Sequence, residues 1–202
     1  MDHTKDIMDV VKFFQYAFII VFALALGEAF KQFVAEKANQ PRDKVVDWSR
    51  LPALLSFVVL IFPFYQGMSR YFFATYADVN TLPKPYSLYL MFDSVAFLAE
   101  SALFFVMSRA LSEDRWRSYY GTVLVLLVVD SIWGAVSWYC HGGPTTVWIT
   151  LNLSFAVVLL LILLLTPRQR SWVGAMAGLI AVSIRTMLDY ALTWQLYFPP
   201  PP

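Results

Sequence analysis

The sequence predicts an all-α fold: a polytopic membrane protein whose six transmembrane helices form one domain over residues 1–202. Its composition supports this, because 59% of the residues are hydrophobic and only 14% are charged, against about 25% in a typical soluble domain. The apolar residues also fall into six long runs, each near the length of about 20 residues that crosses a bilayer. The predicted helices span residues 10–34, 51–74, 88–110, 119–139, 147–165 and 172–198.

The first two helices follow from charge and from a proline. The N-terminal tail mixes aspartates with lysines, so it lacks the basic region of a secretory signal, and we expect residues 10–34 to be retained as a membrane helix. Residues 51–74 form the second helix. Within it, Pro63 is expected to produce a kink and to free backbone carbonyl groups that neighbours must satisfy.

Turn-forming residues separate the later helices. Pro85 precedes helix three, and the Gly-Gly-Pro triplet at 142–144 separates helices four and five. Residues 157–165 are uniformly aliphatic, which indicates lipid on most sides of helix five and a peripheral position. The other five helices are then expected to enclose a polar centre. Helix six is predicted to be continuous over residues 172–198.

Lysine and arginine are concentrated in alternate connections, and this pattern predicts the orientation of the chain. Cytoplasmic loops carry an excess of these residues, so the odd-numbered connections are expected to face the cytoplasm and both termini the non-cytoplasmic side. The expected location is the bacterial inner (plasma) membrane. The second connection holds Lys84 alone, whereas the odd-numbered connections hold Lys37, Arg42, Lys44, Arg50, Arg109, Arg115, Arg117, Arg168 and Arg170.

Polar and ionisable side chains interrupt most of the predicted helices. A charged group at the centre of a bilayer costs about 3 kcal/mol or more, so it persists where it meets a partner, a polar interior or water. A helix rises about 1.5 Å per residue, which places Asp93, Asp130 and Arg185 in one layer, with Glu100 deeper. The candidate polar-core residues are Glu28, Gln66, Arg70, Asp93, Glu100, Asp130, Arg185 and Asp189.

These residues favour a channel or transporter for protons or small cations, because acidic side chains outnumber basic ones within the helices. In this hypothesis Asp93 and Asp130 face the ion, Glu28 and Glu100 form an inner relay, and Arg185 tunes them. A homo-oligomer is expected, since one protomer of this size leaves little wall for a wide pore.

Two alternatives remain open. The pairs Asp130–Arg185, Arg185–Asp189 and Gln66–Arg70 are also suited to holding helices together. The chain would then be a non-transporting accessory or effector protein whose cytoplasmic loops bind a protein partner. The minor alternative is an intramembrane lipid- or quinone-binding protein or enzyme.

Other classes of site are not expected. His3, His141 and Cys140 do not form a metal-ligand cluster by spacing. The sequence contains no phosphate-binding loop and no nucleophile elbow. We therefore predict no catalytic residue, metal or cofactor, and enzyme activity is not favoured. The net charge of +1 gives no argument for a nucleic-acid partner, whereas membrane lipid is an expected one. Gly174 and Gly178 have the Gly-x-x-x-Gly spacing of close helix packing, either within the chain or at a dimer face.

Overall fold

Six long helices dominate the structure, a computed structural model that describes residues 3–37, 40–46, 48–77, 82, 85–111, 116–142, 145–167 and 171–199. Each is long and apolar enough to span a membrane. The predicted fold class is thus confirmed, and the chain is an integral membrane protein. The helices are α1 (His3–Phe33), α2 (Leu51–Tyr76), α3 (Tyr86–Ala110), α4 (Trp116–His141), α5 (Thr146–Leu165) and α6 (Ser171–Leu192).

The six helices form a ring in the order α1, α3, α4, α5, α6, α2. Further contacts join α2 to α3 and α4 to α6, so these four helices form an inner group. Helix α5 packs against α4 and α6 on one side of this group, as its aliphatic sequence predicts. Helix α1 packs against α2 and α3 on the opposite side. The expectation that five helices enclose the centre was therefore wrong for α1, which is peripheral like α5.

Aromatic side chains attach α1 to the inner group. Phe18 lies 6.1 Å from Phe72 of α2 and 6.2 Å from Phe97 of α3, measured between ring centroids. Phe22 lies 5.2 Å from Phe104 of α3 in an edge-to-face arrangement, which is a favoured geometry for aromatic pairs. The contact between α1 and the bundle is therefore mainly apolar, and Gln15 of α1 adds a hydrogen bond from its Nε2 atom to Oγ of Ser69 at 3.1 Å.

The helices alternate in direction, so the bundle has two ends. We call the end with the first residues of α1, α3 and α5 the terminal end. The opposite end, where α2, α4 and α6 begin, carries the connections rich in Lys and Arg, and we call it the basic-loop end.

The first connection contains a β-hairpin that the sequence analysis did not predict. Strand β1 (Val34–Lys37) pairs antiparallel with β2 (Gln40–Val46), and Val34 lies opposite Val46. A 3-10 helix over Trp48–Arg50 then leads into α2. Valine favours strands. Because Val34 directly follows the apolar run of α1, however, the sequence analysis assigned it to the end of that helix.

Helix six ends earlier than predicted. The backbone leaves helical geometry at Thr193, with φ −114° and ψ 21°, and a short helix α7 (Trp194–Tyr197) follows. The hydroxyl of Thr193 donates to the carbonyl oxygen of Asp189 at 2.6 Å, and such side-chain bonds compete with helix continuation. The break turns α7 back onto α2 and buries Tyr197 in the bundle.

Pro63 lies inside α2 and removes one backbone donor from that helix. The carbonyl oxygen of Val59, four residues earlier, is instead approached by the hydroxyl of Thr186 at 3.5 Å. The hydroxyl of Tyr197 donates to the carbonyl oxygen of Pro63 at 3.4 Å. Helix α6 thus offers a donor to the carbonyl oxygen that the proline leaves without its intrahelical partner.

Glycines bring α6 directly against α4. A Cβ atom at Gly174 would lie 2.5 Å from the ring of Trp116, and one at Gly178 would lie 2.5 Å from the ring of Tyr120. The Gly-x-x-x-Gly spacing therefore serves packing within the chain.

We expect Gly178→Ala to destabilise the protein by about 1–3 kcal/mol, the usual effect of overpacking. The ring of Tyr120 is poorly placed to move, because its hydroxyl donates to the carbonyl oxygen of Ala175 at 2.8 Å and contacts the hydroxyl of Ser56 at 2.7 Å. Denaturant unfolding in detergent measures the change. Gly121→Ala on α4 is the matched control, since nothing lies within 4 Å of a Cβ there. Equal losses in the two variants would contradict the packing role.

Candidate functional site

Five buried polar side chains on α3, α4, α5 and α6 lie together inside the bundle, and hydrogen bonds join the four on α4, α5 and α6. Each is at most 7% exposed. In a bilayer such groups must find their partners within the protein, because the hydrocarbon offers none. We call this set the central network; its members are Glu100, Asp130, Asn152, Arg185 and Asp189.

Asn152 connects the acidic and basic parts of the central network. Its Nδ2 atom donates to Oδ2 of Asp130. Its Oδ1 atom accepts from Nε of Arg185 at 3.1 Å and from Nη2 at 2.8 Å. An amide side chain donates to a carboxylate and accepts from a guanidinium at once. Asp130 and Arg185, which the sequence analysis paired directly, therefore interact through this amide.

Arg185 and Asp189 form the ion pair expected from their spacing of four residues. Nη1 of Arg185 lies 2.8 Å from Oδ2 of Asp189, and the two side chains are 3% and 2% exposed. Burial, and next the charge of Asp189, raise the pKa of the Tyr197 hydroxyl, so that it remains a donor. Nε1 of Trp148 also donates to the Asp189 carboxylate at 3.0 Å. The hydroxyl oxygens of Thr193 and Tyr197 lie 3.1 Å and 3.2 Å from this carboxylate, and each hydroxyl shares its single proton between the carboxylate and a backbone carbonyl oxygen.

Glu100 and Asp130 are both buried, and the two residues line the same cavity. An ionised carboxylate only accepts hydrogen bonds, so a direct hydrogen bond between the two carboxyl groups would require a proton on one of them. The Oε1 atom of Glu100 is buried without a hydrogen-bond partner among the described residues. Glu100 therefore belongs to the centre of the protein, and its position is suited to hold a proton.

Glu100 lines a small cavity between the inner helices. The cavity offers about 20 Å³ to the centre of a water molecule, and one water needs about 10–15 Å³ measured in this way. Asp130, Arg185 and Asp189 also line the cavity. The rest of its wall is mainly aromatic, with rings from Phe64, Phe97, Trp133, Trp148 and Tyr197. The cavity thus fits one small polar species beside the carboxyl pair.

Asp93 lies in a second polar cluster. Its Oδ1 atom accepts from Nε1 of Trp133 at 2.9 Å. Its Oδ2 atom accepts from the hydroxyls of Tyr71 at 3.1 Å and Tyr76 at 2.7 Å. These donors are neutral, and Asp93 is fully buried. The single layer predicted from helix depth is therefore divided into two clusters, with Trp133 contributing to the cavity wall as well.

Three predicted site residues lie outside the central network. Glu28 pairs with Lys31 at 3.5 Å at the basic-loop end of the peripheral helix α1. Glu28 therefore contacts residues of α1 and not Glu100, with which the sequence analysis combined it in an inner relay. The Oε1 atom of Gln66 accepts from the hydroxyl of Tyr190 at 3.1 Å, whereas the sequence analysis paired Gln66 with Arg70. The side chain of Arg70 is half-buried near the terminal end of α2.

The sequence analysis missed Asn152, Trp133 and Trp148 as site residues. Asn152 carried a usable signal, because it is the only Asn or Gln in a helix that is otherwise almost uniformly apolar. The two tryptophans carried none, since tryptophan is common near membrane interfaces.

No family model, curated protein or solved structure matches the chain. The described residues also contain no group of three or more His, Cys, Asp and Glu that is able to hold a metal ion.

We expect Asn152→Ala to destabilise the protein by about 3 kcal/mol or more, because Asp130 and Arg185 each lose a buried partner. Thr150→Ala on the same helix is the control, since Thr150 is exposed. Unfolding of both variants in the same detergent measures the difference. Similar stability of Asn152→Ala and Thr150→Ala would show that the amide does not connect the network.

Proposed function

We propose that this protein is a membrane transporter of protons in which Glu100 and Asp130 bind the transported proton. The observation that carries the proposal is that these two buried carboxyl groups line one water-sized cavity. The Oε1 atom of Glu100, which has no hydrogen-bond partner among the described residues, supports it further. A network with a purely structural role would be expected to satisfy that oxygen, since leaving a polar group unpaired in a low-dielectric interior is expensive.

The charge balance of the centre also supports proton binding. Arg185 is the only basic side chain in the central network, and it pairs with Asp189. The positive charge of Arg185 is therefore largely balanced by Asp189. If Glu100 and Asp130 were both ionised, their two negative charges would repel strongly at low dielectric. One bound proton removes that repulsion and creates the hydrogen bond between them.

The size of the cavity favours a proton over a small metal cation. A hydrated cation needs more room than about 20 Å³. A dehydrated one needs several oxygen ligands, but Asn152 already donates to Asp130 and Arg185 to Asp189. A proton needs only one acceptor and a water molecule to exchange with.

The apolar side chains around the cavity support a transporter with a closed centre over an open channel. Towards the basic-loop end, one or two helical turns from the carboxyl pair, Phe57, Leu60, Phe104, Val123 and Leu126 are fully buried. The rings of Phe57 and Phe104 are 5.8 Å apart. Passage of a proton to that end therefore requires the helices to move.

Two backbone irregularities at the cavity are suited to such movement. Pro63 of α2 and Tyr197, which follows the break between α6 and α7, both line the cavity. Prolines and interrupted helices are common positions of bending, and transporter sites are often built at such interruptions.

The same proposal includes the orientation and assembly of the chain. Its basic-loop end faces the cytoplasm, its termini lie outside, and its location is the inner membrane of a bacterium, in agreement with the distribution of Lys and Arg. Helices α1 and α5 expose apolar side chains on opposite sides of the bundle. Lipid covers such faces, and they are also where copies of the chain would associate as a homo-oligomer.

Proton flux into liposomes tests the proposal. We expect purified protein to carry protons under an imposed pH gradient and membrane potential, as reported by a dye trapped inside. Glu100→Gln and Asp130→Asn should reduce this flux to the level of protein-free liposomes, because neither amide takes up a proton near neutral pH.

Glu28→Gln is the matched control for Glu100→Gln, since it makes the same change on peripheral helix α1. It should leave the flux unchanged. Full flux in a folded Glu100→Gln variant would overturn the proposal.

A structural role in an accessory protein is the second candidate. It is favoured by Asp93 and Asp189, whose oxygens accept hydrogen bonds from several side chains, as expected of groups that hold helices together. In that case the wild-type protein would carry no protons, and substitutions in the central network would affect stability alone.

A further inference from the structure

The residues after α6 close the central cavity on the side of the terminal end. Helix α6 has 22 residues, about 33 Å at about 1.5 Å per residue, so its last turn lies near the edge of the hydrocarbon layer. Tyr197 of α7 lines the cavity and is 1% exposed. Its ring lies 4.8 Å from the ring of Tyr190, measured between centroids. Tyr197 therefore separates the cavity from residues near the membrane surface.

The outer neighbours of Tyr197 are polar and only half-buried. They are Gln66, Tyr190 and Thr193. The Nε2 atom of Gln66 donates to the carbonyl oxygen of Tyr197 at 3.5 Å, and the hydroxyl of Tyr190 donates to Oε1 of Gln66 at 3.1 Å. The backbone N–H of Tyr197 donates to the carbonyl oxygen of Thr193 at 3.1 Å. A polar route thus leads from the terminal end as far as the ring of Tyr197.

The contacts that hold Tyr197 in place are weak. Its hydroxyl oxygen lies 3.2 Å from Oδ2 of Asp189 and 3.4 Å from the carbonyl oxygen of Pro63, whereas hydroxyl bonds are usually about 2.7–2.8 Å long. Its neighbours Trp194 and Phe198 are 58% and 44% exposed. Helix α7 has four residues, too few for a helix to be stable without tertiary contacts. The position of α7 therefore depends mainly on Tyr197.

Other routes out of the cavity are closed more firmly. Towards the basic-loop end, apolar side chains such as those of Phe57 and Phe104 are fully buried. On the side of Asp93, this carboxylate accepts hydrogen bonds from Tyr76 at 2.7 Å and from Trp133 at 2.9 Å, and all three side chains are buried. Of these routes, the one past α7 is closed by the weakest contacts.

We infer that α7 is a gate whose displacement, with Thr193 as its hinge, opens the central cavity towards the terminal end. Gly67 leaves room for the closed position, since a Cβ atom there would lie 3.2 Å from the hydroxyl oxygen of Tyr197. This hydroxyl also reaches Asp189, which pairs with Arg185, so the gate contacts the central network directly. The inference rests on the proposed proton transport for its role, because it assigns the route by which protons enter the cavity.

Labelling of a cysteine in the cavity wall tests the inference without measuring transport. Met68 lines the cavity and is 4% exposed, so Met68→Cys places a thiol there. Cys140, the only natural cysteine, is exposed and is replaced by serine. A thiosulfonate reagent with a fixed positive charge is added to this protein in lipid nanodiscs, and mass spectrometry follows its attachment. Because the reagent is charged, it reaches the thiol through water only when a route opens.

Tyr197→Phe should accelerate the labelling about tenfold, because it removes a hydrogen bond to a charged carboxylate and so favours the open position. The ring remains, so a fixed wall would be labelled at the same rate with and without the hydroxyl. Tyr139→Phe is the matched control, since it makes the same change at a side chain that is 85% exposed at the end of α4. It should leave the labelling rate unchanged.

Gly67→Ala decides the matter if Tyr197→Phe does not fold. Its methyl group would press on the hydroxyl of Tyr197 and should also accelerate the labelling, whereas nothing lies within 4 Å of a Cβ atom in the control Gly121→Ala. Unchanged labelling in Tyr197→Phe, or in Gly67→Ala where the first variant does not fold, would overturn the inference. Accelerated labelling in a protein that carries no protons would leave α7 as the gate of the cavity and overturn the proposed transport alone.

Discussion

The structure depends on the need to pair every buried polar group inside a protein that is surrounded by lipid. Asn152 illustrates this constraint, because its amide group forms hydrogen bonds with both Asp130 and Arg185. These bonds join α4, α5 and α6. Tyr197 is another: the break at Thr193 lets its hydroxyl reach Asp189 and the carbonyl oxygen of Pro63. The inner helices and α5 are thus joined by polar contacts, whereas α1 packs against the bundle mainly through aromatic rings.

Oε1 of Glu100 is buried without a hydrogen-bond partner among the described residues, and Glu100 lines the central cavity. This position is suited to a proton. Apolar side chains around Phe57 and Phe104 separate it from the basic-loop end.

Much of the fold was predictable from sequence, but the assembly of the site was only partly so. Apolar runs gave six helices, the aliphatic residues after Asn152 gave the peripheral position of α5, and the four-residue spacing gave the Arg185–Asp189 pair. Contacts between helices depend on how each helix is rotated, which helix depth alone does not determine. For that reason the placement of Asp130 and Glu100 at one cavity, and the separation of Asp93 from both Asp130 and Arg185, emerged only from the structure.

The central claim is that Glu100 and Asp130 hold a proton between them in the folded protein. Infrared spectroscopy of the protein in lipid near neutral pH tests this most directly, since a protonated carboxyl group has a carbonyl band distinct from that of a carboxylate. The account predicts such a band in the wild type, its shift in heavy water, and its loss or displacement in Glu100→Gln but not in Glu28→Gln. A wild-type spectrum without a protonated carboxyl band, or an identical band in Glu100→Gln, would contradict the account.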